Sequence, residues 1–315
     1  MKNLHYLYLL LFALSTLACT SEKEENETST SIAEKSFEFE IYDSLVIDYL
    51  GNLALMDISP DGKTFLLQDG NTSTFLIGNE TGELLYQYKL RGEGPNEYSE
   101  NPLGKAKFYN SEEFMIPTTG GIYHYDINGK FLKKYQLDFN CAPQLIVGSA
   151  DNLMVHGNQI YTSIPGRGTD EYGPTGIEFQ AKSQQVEILD LTTEKYSPAI
   201  TFPTTSKFSS REKAYPGLSF FTNIGLSEDT LYLNFRNEPK IFAYSVSDLG
   251  NLASTKIIPF PSFLEKVPKD DQVSGSFEIK DIFVGTINRI IPIQNNFFLV
   301  DYLSGLTDEQ FDKGM

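Results

Sequence analysis

Side chains able to do chemistry are few in this chain of 315 residues, and their spacing excludes more than it suggests. Of its histidines, His124 and His156 lie in the body of the chain, each inside an apolar run, beside Tyr123 and Tyr125 or directly after Val155. Two imidazoles cannot complete a zinc site without carboxylates, and sequence alone cannot place those. They read as half-buried strand histidines. Serine and aspartate are plentiful, yet no G-x-S-x-G elbow marks a nucleophile. Asp69, Asn71, Ser73 and Glu80 stand at the first, third, fifth and twelfth positions of a calcium loop, but the obligatory glycine at the sixth is Thr74. Thr74 to Ile77 reads as strand instead, and Asp126-Ile127-Asn128-Gly129 reads as a turn. No catalytic residue, metal or cofactor is assigned. The segment Gly92-Glu93-Gly94-Pro95-Asn96-Glu97-Tyr98 has two readings: successive glycine amides could hold an anion, or Gly94-Pro95 could simply fix a connecting turn. The pairs Tyr86/Tyr88, Tyr123/Tyr125 and Phe220/Phe221 could form a platform for a sugar or peptide. Neighbours in a strand point to opposite faces, so core packing accounts for most of them.

The segment before these residues concerns export. Lys2, the apolar run Leu7 to Leu14 and the small residues leading to Ala18 form a signal peptide over residues 1–18, too short to span a bilayer. Leu17-Ala18-Cys19 resembles the bacterial lipobox, with Thr16 where that box usually carries Leu, so Cys19 is the expected site of lipidation. That leaves Cys141 as the only thiol. With no basic residue near it in sequence, it reads as a small buried side chain. Residues 19–35, with the cluster Glu22-Lys23-Glu24-Glu25-Asn26-Glu27, cannot bury apolar surface and form an acidic tether. The net charge of −17 excludes nucleic acid as a partner, because phosphate backbones are bound by clustered Lys and Arg.

Residues 36–315 are the folded domain. Eighteen Tyr, 23 Phe and 24 Gly, with short apolar runs between turn residues and no sustained 3.6 period, predict an all-β class. Phe75 to Leu90 aligns without gaps on Ile122 to Leu137, so that Gly82 meets Gly129, Tyr88 meets Tyr135 and Leu90 meets Leu137. Each copy reads as a hairpin with glycine supplying positive φ. Further hairpins fall at Val186 to Ile200 and Ile241 to Thr255. Each follows a β-rich run: Thr64 to Gln68, Glu113 to Pro117, Asn152 to His156 and Thr230 to Phe235, with a fifth run at Asn296 to Tyr302. Recurrent hairpin units favour a β-propeller over a two-sheet sandwich. Gly157 to Gln180 interrupts the third unit and reads as a long loop on one face. The last unit lacks a second hairpin, as a C-terminally truncated copy would, with Phe37 to Ile41 its orphaned or repositioned partner.

Arg91 to Tyr98 resembles the G-x-G-P-x-E motif of six-bladed propeller lipoproteins of Bacteroidota, and Asn237-Glu238-Pro239-Lys240-Ile241 is similar to the approach to a later blade in their TolB-like branch, a family of unknown function. The resemblance spans residues 37–302. It implies six blades and an outer-membrane lipoprotein, surface-exposed or periplasmic, and it carries no catalytic residues. The expectation is a non-enzymatic module at the cell envelope, anchored to the membrane through its lipid, whose loops, Gly157 to Gln180 among them, contact an unknown protein, peptide or glycan ligand. A metal-dependent propeller hydrolase or lyase and a structural subunit of an outer-membrane complex are the alternatives.

Overall fold

The computed structural model describes residues 40–41, 43–141, 151–267, 278–293 and 297–314. The expected signal peptide, Cys19 and the tether lie outside them, as do Phe37 and Asn296. The few described residues before Leu45 belong to a separate unit and contain no regular structure. From Leu45 onward the described residues hold eighteen strands in five antiparallel sheets, four of them four-stranded and one two-stranded. β1 (Leu53–Ile58), β2 (Thr64–Asp69), β3 (Thr74–Asn79) and β4 (Leu84–Lys89) make the first. β5 (Lys107–Asn110), β6 (Glu113–Thr118), β7 (Gly121–Asp126) and β8 (Phe131–Gln136) make the second. β9 (Leu153–His156), β10 (Gln159–Thr162), β11 (Gln184–Asp190) and β12 (Lys195–Thr201) make the third. β13 (Thr222–Ser227), β14 (Thr230–Phe235), β15 (Lys240–Ser245) and β16 (Asp248–Ile257) make the fourth, and β17 (Thr286–Ile293) pairs with β18 (Phe297–Leu303) in the fifth. Within every sheet the strands follow chain order.

Strand alternation explains why these sheets stack as blades. In β6, Phe114 and Ile116 pack with Leu66, Phe75 and Ile77 of the first sheet, while Met115 between them packs with Leu153 and Ile160 of the third. In β14, Leu231 and Leu233 face Val186 of the third sheet, and Tyr232 faces Ile287 and Ile290 of the fifth. A middle strand with a neighbouring blade on each side has both faces apolar, which is why β6, β7, β14 and β15 are almost continuously buried. Outer strands β4, β8 and β16 have one neighbour fewer and stay largely exposed or half-buried. The first strands are successive neighbours, β1 with β5, β5 with β9, β9 with β13 and β13 with β17. The all-β chain is a β-propeller.

The predicted hairpin repeat is present as β3/β4 and β7/β8, with Gly82 at φ 85° and Gly129 at φ 79° in the turns. Two readings of the sequence need correction. Gly157 to Gln180 is not one loop: it contains β10, and then short helices at Thr169–Tyr172 and Gly176–Lys182. Phe297 to Tyr302 pairs with β17, a strand the apolar pattern did not reveal. The polar stretch after it carries a helix at Asp308–Gly314.

One glycine is set by a close approach. Gly121, at φ 131°, would place a Cβ 2.1 Å from the Tyr135 carbonyl oxygen across the β7/β8 pair. Gly121→Ala is expected to lower stability by about 1–3 kcal/mol through combined backbone strain and collision. A urea midpoint equal to wild type refutes this.

Candidate functional site: the mouth of the central channel

Because the first strand of each blade faces the axis, its residues line a channel, and their types are polar where the blade interfaces are apolar. Lys107 on β5 lies 2.9 Å from Asp151, just before β9, and 3.3 Å from Asp57 on β1. The Phe108 amide also donates to Asp57, at 2.9 Å, and Arg289 on β17 stands 4.0 Å from Asp151. Lys105 is buried beside this group, and among the described residues no hydrogen bond or ion pair reaches its ammonium. Burial lowers the Lys105 pKa, and the positive charges of Arg289 and Lys107 add to that despite Asp151. For Lys107 burial acts the same way, but Asp151 and Asp57 outweigh it and the net shift is upward. Three cations thus meet two carboxylates inside a strongly acidic molecule.

Where the first strands begin, the channel opens into a cavity of about 70 Å³ lined by Leu103, Asn152, Ser163, Pro165, Phe179, Gln184, Gln185, Phe220, Phe221, Thr222, Asn223, Arg236, Ile287 and Asn288. Its amides are held from behind. Asn152 Nδ2 donates to the Leu103 carbonyl at 2.7 Å, and Asn223 Nδ2 donates to the Ile287 carbonyl at 3.0 Å. Gln185 Nε2 donates to Ser183 Oγ at 2.8 Å. Arg236 follows β14, fixed by its amide to the Phe221 carbonyl and by its carbonyl from the Ile287 amide. Its Nε reaches Thr286 Oγ1 at 3.5 Å and its guanidinium lies 5.9 Å from the Phe221 ring centre. Among the described residues its terminal amino groups have no hydrogen-bond partner and no carboxylate is within ion-pair distance. Burial alone pulls its pKa down. Asn152, 4% exposed, has no partner for Oδ1 among the described residues, and its Nδ2 contact fixes that orientation, since a flipped amide would set oxygen against oxygen.

The insertion in the third blade supplies one wall. Arg167 holds it, donating to buried Glu187 at 2.8 Å and to Asp138 at 2.8 Å. Gln180 Nε2 donates to the Ser210 and Lys213 carbonyls at 3.1 Å, and its Oε1 accepts from the Tyr215 amide at 2.7 Å. Phe179 stacks on Phe220 with centroids 5.6 Å apart.

The residues singled out by sequence fall elsewhere. In the Gly92 to Tyr98 segment, Glu97 Oε2 accepts from the Gly94 amide at 2.8 Å, and a Cβ on Gly92 would sit 2.1 Å from that oxygen. The motif's own carboxylate occupies its concavity, while Glu93 and Pro95 are exposed. Asn237 and Glu238 tie blades together: Asn237 Nδ2 donates to the Gly285 and Leu264 carbonyls, and Glu238 accepts from Ser206 Oγ and the Lys207 amide. Asp69 accepts from the Asn71 and Asn52 amides, Tyr49 and Thr72, as a turn residue does. Cys141 is partly buried, and burial raises its thiol to about 11. Of the aromatic pairs, Tyr123 and Tyr125 are both buried, Phe220 joins the core, and Phe221 reaches the cavity. Among the described residues no three His, Cys, Asp or Glu side chains gather as for a metal ion.

His124 and His156 stand on different blades, each with its own carboxylate, Glu113 at 3.0 Å and Asp229 at 3.4 Å. Burial depresses His124 below its ordinary value of 6.5, against an upward pull from Glu113. The folded chain therefore resists a proton that the unfolded chain accepts. The stability this contributes is complete above about pH 6.5 and is lost as pH falls through the lower, folded value. His124→Gln, which stays neutral, is expected to flatten the fall in urea midpoint between about pH 7.5 and pH 5. An unchanged slope means another group controls it.

Stacked antiparallel blades around a polar channel define the class, a β-propeller with a cavity at one channel mouth. Solved structures similar to it include a member of the DUF4221 family from Bacteroides vulgatus, at 12% identity and TM-score 0.49, covering 77% of this chain and 68% of that one. BamB from Moraxella catarrhalis aligns at 11% identity and TM-score 0.39, over 78% and 81% of the two chains. AztD from Citrobacter koseri aligns at 12% identity and TM-score 0.36, covering 65% of this chain and 47% of AztD. No protein-family model matches the chain, and no curated protein sequence matches it.

Proposed function

We propose that this chain is an exported lipoprotein, acylated at Cys19, whose propeller is a non-enzymatic ligand-binding or protein-interaction module at the cell envelope, akin to the six-bladed, TolB-like lipoproteins of Bacteroidota. The observation that carries the binding role is the cavity at the channel mouth, lined by the partly exposed Arg236, whose terminal amino groups have no hydrogen-bond partner among the described residues. At about 70 Å³ the cavity is well below the roughly 300–1,000 Å³ of sites that enclose a drug-sized ligand, so it seats one end of a larger molecule. The neighbouring insertion is placed to meet the remainder.

Two measurements test the reading. Cys19→Ala is expected to move the protein from the membrane fraction to the soluble fraction, and persistent membrane association of that variant refutes the anchor. A fragment screen on the full-length protein, read by amide shifts, is expected to converge on Asn152, Asn223 and Phe221. Hits that all avoid the cavity refute the site.

A further inference from the structure

We infer that the central channel binds a small monovalent anion of the halide class between the Lys105 ammonium of the second blade and the Arg289 guanidinium of the fifth. The inference is separate from the ligand proposed for the cavity and does not depend on it.

Lys105 and Lys107 face the channel because the residues alternating with them do not. Ala106 and Phe108 belong to the apolar cluster shared with Leu66 and Phe75 of the first sheet, so the two lysines turn the other way. Lys107 is fully engaged there, with Asp151 at 2.9 Å and Asp57 at 3.3 Å, and the second oxygen of Asp57 takes the Phe108 amide. The other two cations are left without a close carboxylate. Lys105 is 9% exposed, and among the described residues no hydrogen bond or ion pair reaches its ammonium. Arg289 has only Asp151, at 4.0 Å, too far for a hydrogen bond. Lysine is almost never buried unpaired, because an isolated ammonium loses its hydration and gains nothing in return.

The two cations are neighbours. Burial is the first influence on Lys105 and lowers its pKa; of the charges acting on it Asp151 leads, and Arg289 follows, ahead of Lys107. Lys107 is two residues away along the chain, so a guanidinium that outweighs it stands close across the channel. Both ends are also accessible. Asp151 Oδ1 and Asn152 Oδ1 are sealed from solvent, whereas neither the Lys105 ammonium nor the Arg289 guanidinium is among the sealed polar atoms, and the Arg289 side chain is 33% exposed. Leu103, Asn152 and Asn288 line the mouth cavity and lie within two residues of Lys105, Asp151 and Arg289 in turn, so the cavity leads to the pair. Three cations against two carboxylates leave one positive charge in excess, which one monovalent anion cancels and a divalent anion would reverse. Held by donors from both sides, the anion ties the two-stranded fifth blade to the second.

The test is thermal unfolding of the full-length protein in detergent, at a fixed ionic strength of about 0.15 M, with bulky gluconate replaced by chloride. Chloride is expected to raise the midpoint by about 2 °C or more, as a ligand that binds only the folded chain does. A net charge of −17 disfavours loose adsorption of anions elsewhere, so the shift reports this site. Lys105→Met keeps most of the stem and removes the charge. In gluconate it is expected to be at least as stable as wild type, and in chloride to gain less than half of the wild-type shift. Crystals of the wild-type protein grown in bromide are expected to show an anomalous peak between Lys105 and Arg289, a readout that needs no variant to fold. Equal midpoints in the two salts, a folded Lys105→Met that keeps the full chloride shift, or a bromide map without a peak at the pair overturns the inference. None of these results bears on the fragment screen, so the binding role of the cavity is decided separately.

Discussion

Lys107→Met is expected to reduce stability by about 3–5 kcal/mol. The Nζ of Lys107 serves two carboxylates from two other blades, Asp57 at 3.3 Å and Asp151 at 2.9 Å, and the Asp151 side chain is 7% exposed. Methionine preserves most of the packed stem and removes the charge. Asp151 would then remain as a buried negative charge and Asp57 as a partly buried one, with Arg289, 4.0 Å from Asp151, and Lys105 beside them as the remaining compensation. The penalty comes from this abandonment more than from the lost attraction, so it depends on which partner is removed. Asp151→Asn in the Lys107→Met background should recover part of the loss, giving a coupling of about 1 kcal/mol or more in a double-mutant cycle. Urea unfolding of the four proteins decides it. A Lys107→Met protein within about 1 kcal/mol of wild type would show the channel to be wet enough to screen these charges.

The same channel explains how much the sequence disclosed. In the first, second and fourth blades the second, third and fourth strands carry clear signals, whereas in the third the β-rich run at Asn152 to His156 is the first strand, β9, and β10 falls in the stretch that reads as loop. Phe114-Met115-Ile116 and Leu231-Tyr232-Leu233 are apolar on both faces because blades press on both sides, and Gly82 and Gly129 mark turns that need positive φ. The first strands of the second and fourth blades leave little trace: Lys107-Phe108-Tyr109-Asn110 and Thr222-Asn223-Ile224-Gly225 mix a buried apolar contact with channel-facing polar groups, so no apolar run or clean alternation survives. β17 was overlooked for the same reason, with Asn288 and Arg289 in its midst. Those strands carry the cavity. Its residues are ordinary Asn, Gln, Arg and Phe, drawn from three blades and an insertion, and their meeting is a product of topology that no local spacing encodes. The glycine motif, by contrast, was conspicuous in sequence, and in the structure Glu97 turns back into it.

Phe208→Ala is expected to cost about 3–5 kcal/mol, although Phe208 belongs to no strand. It sits in a turn of 3₁₀ helix, Lys207–Ser209, in the connection between the third and fourth blades, and is fully buried. Four rings surround it, Phe202 at 5.8 Å, Tyr215 at 5.0 Å, Phe220 at 5.1 Å and Phe235 at 5.5 Å between centroids, three of them edge to face. Truncation removes those contacts and leaves a void that rings locked by their other neighbours cannot collapse to fill. In a propeller of this size the loss corresponds to a fall in melting temperature on the order of 10 °C. Phe208→Leu keeps much of the volume and should cost less than half as much. The effect should also reach the cavity, because Phe220 supports Phe179 on one side and adjoins Phe221 on the other, and both line the mouth. In Phe208→Ala the amide shifts of Phe221 and Thr222 are therefore expected to move with those of the core, while Lys107 and Asp57, on the opposite blades, stay in place. If the cavity residues are unmoved in a destabilised Phe208→Ala protein, the aromatic cluster holds the blades together without shaping the site.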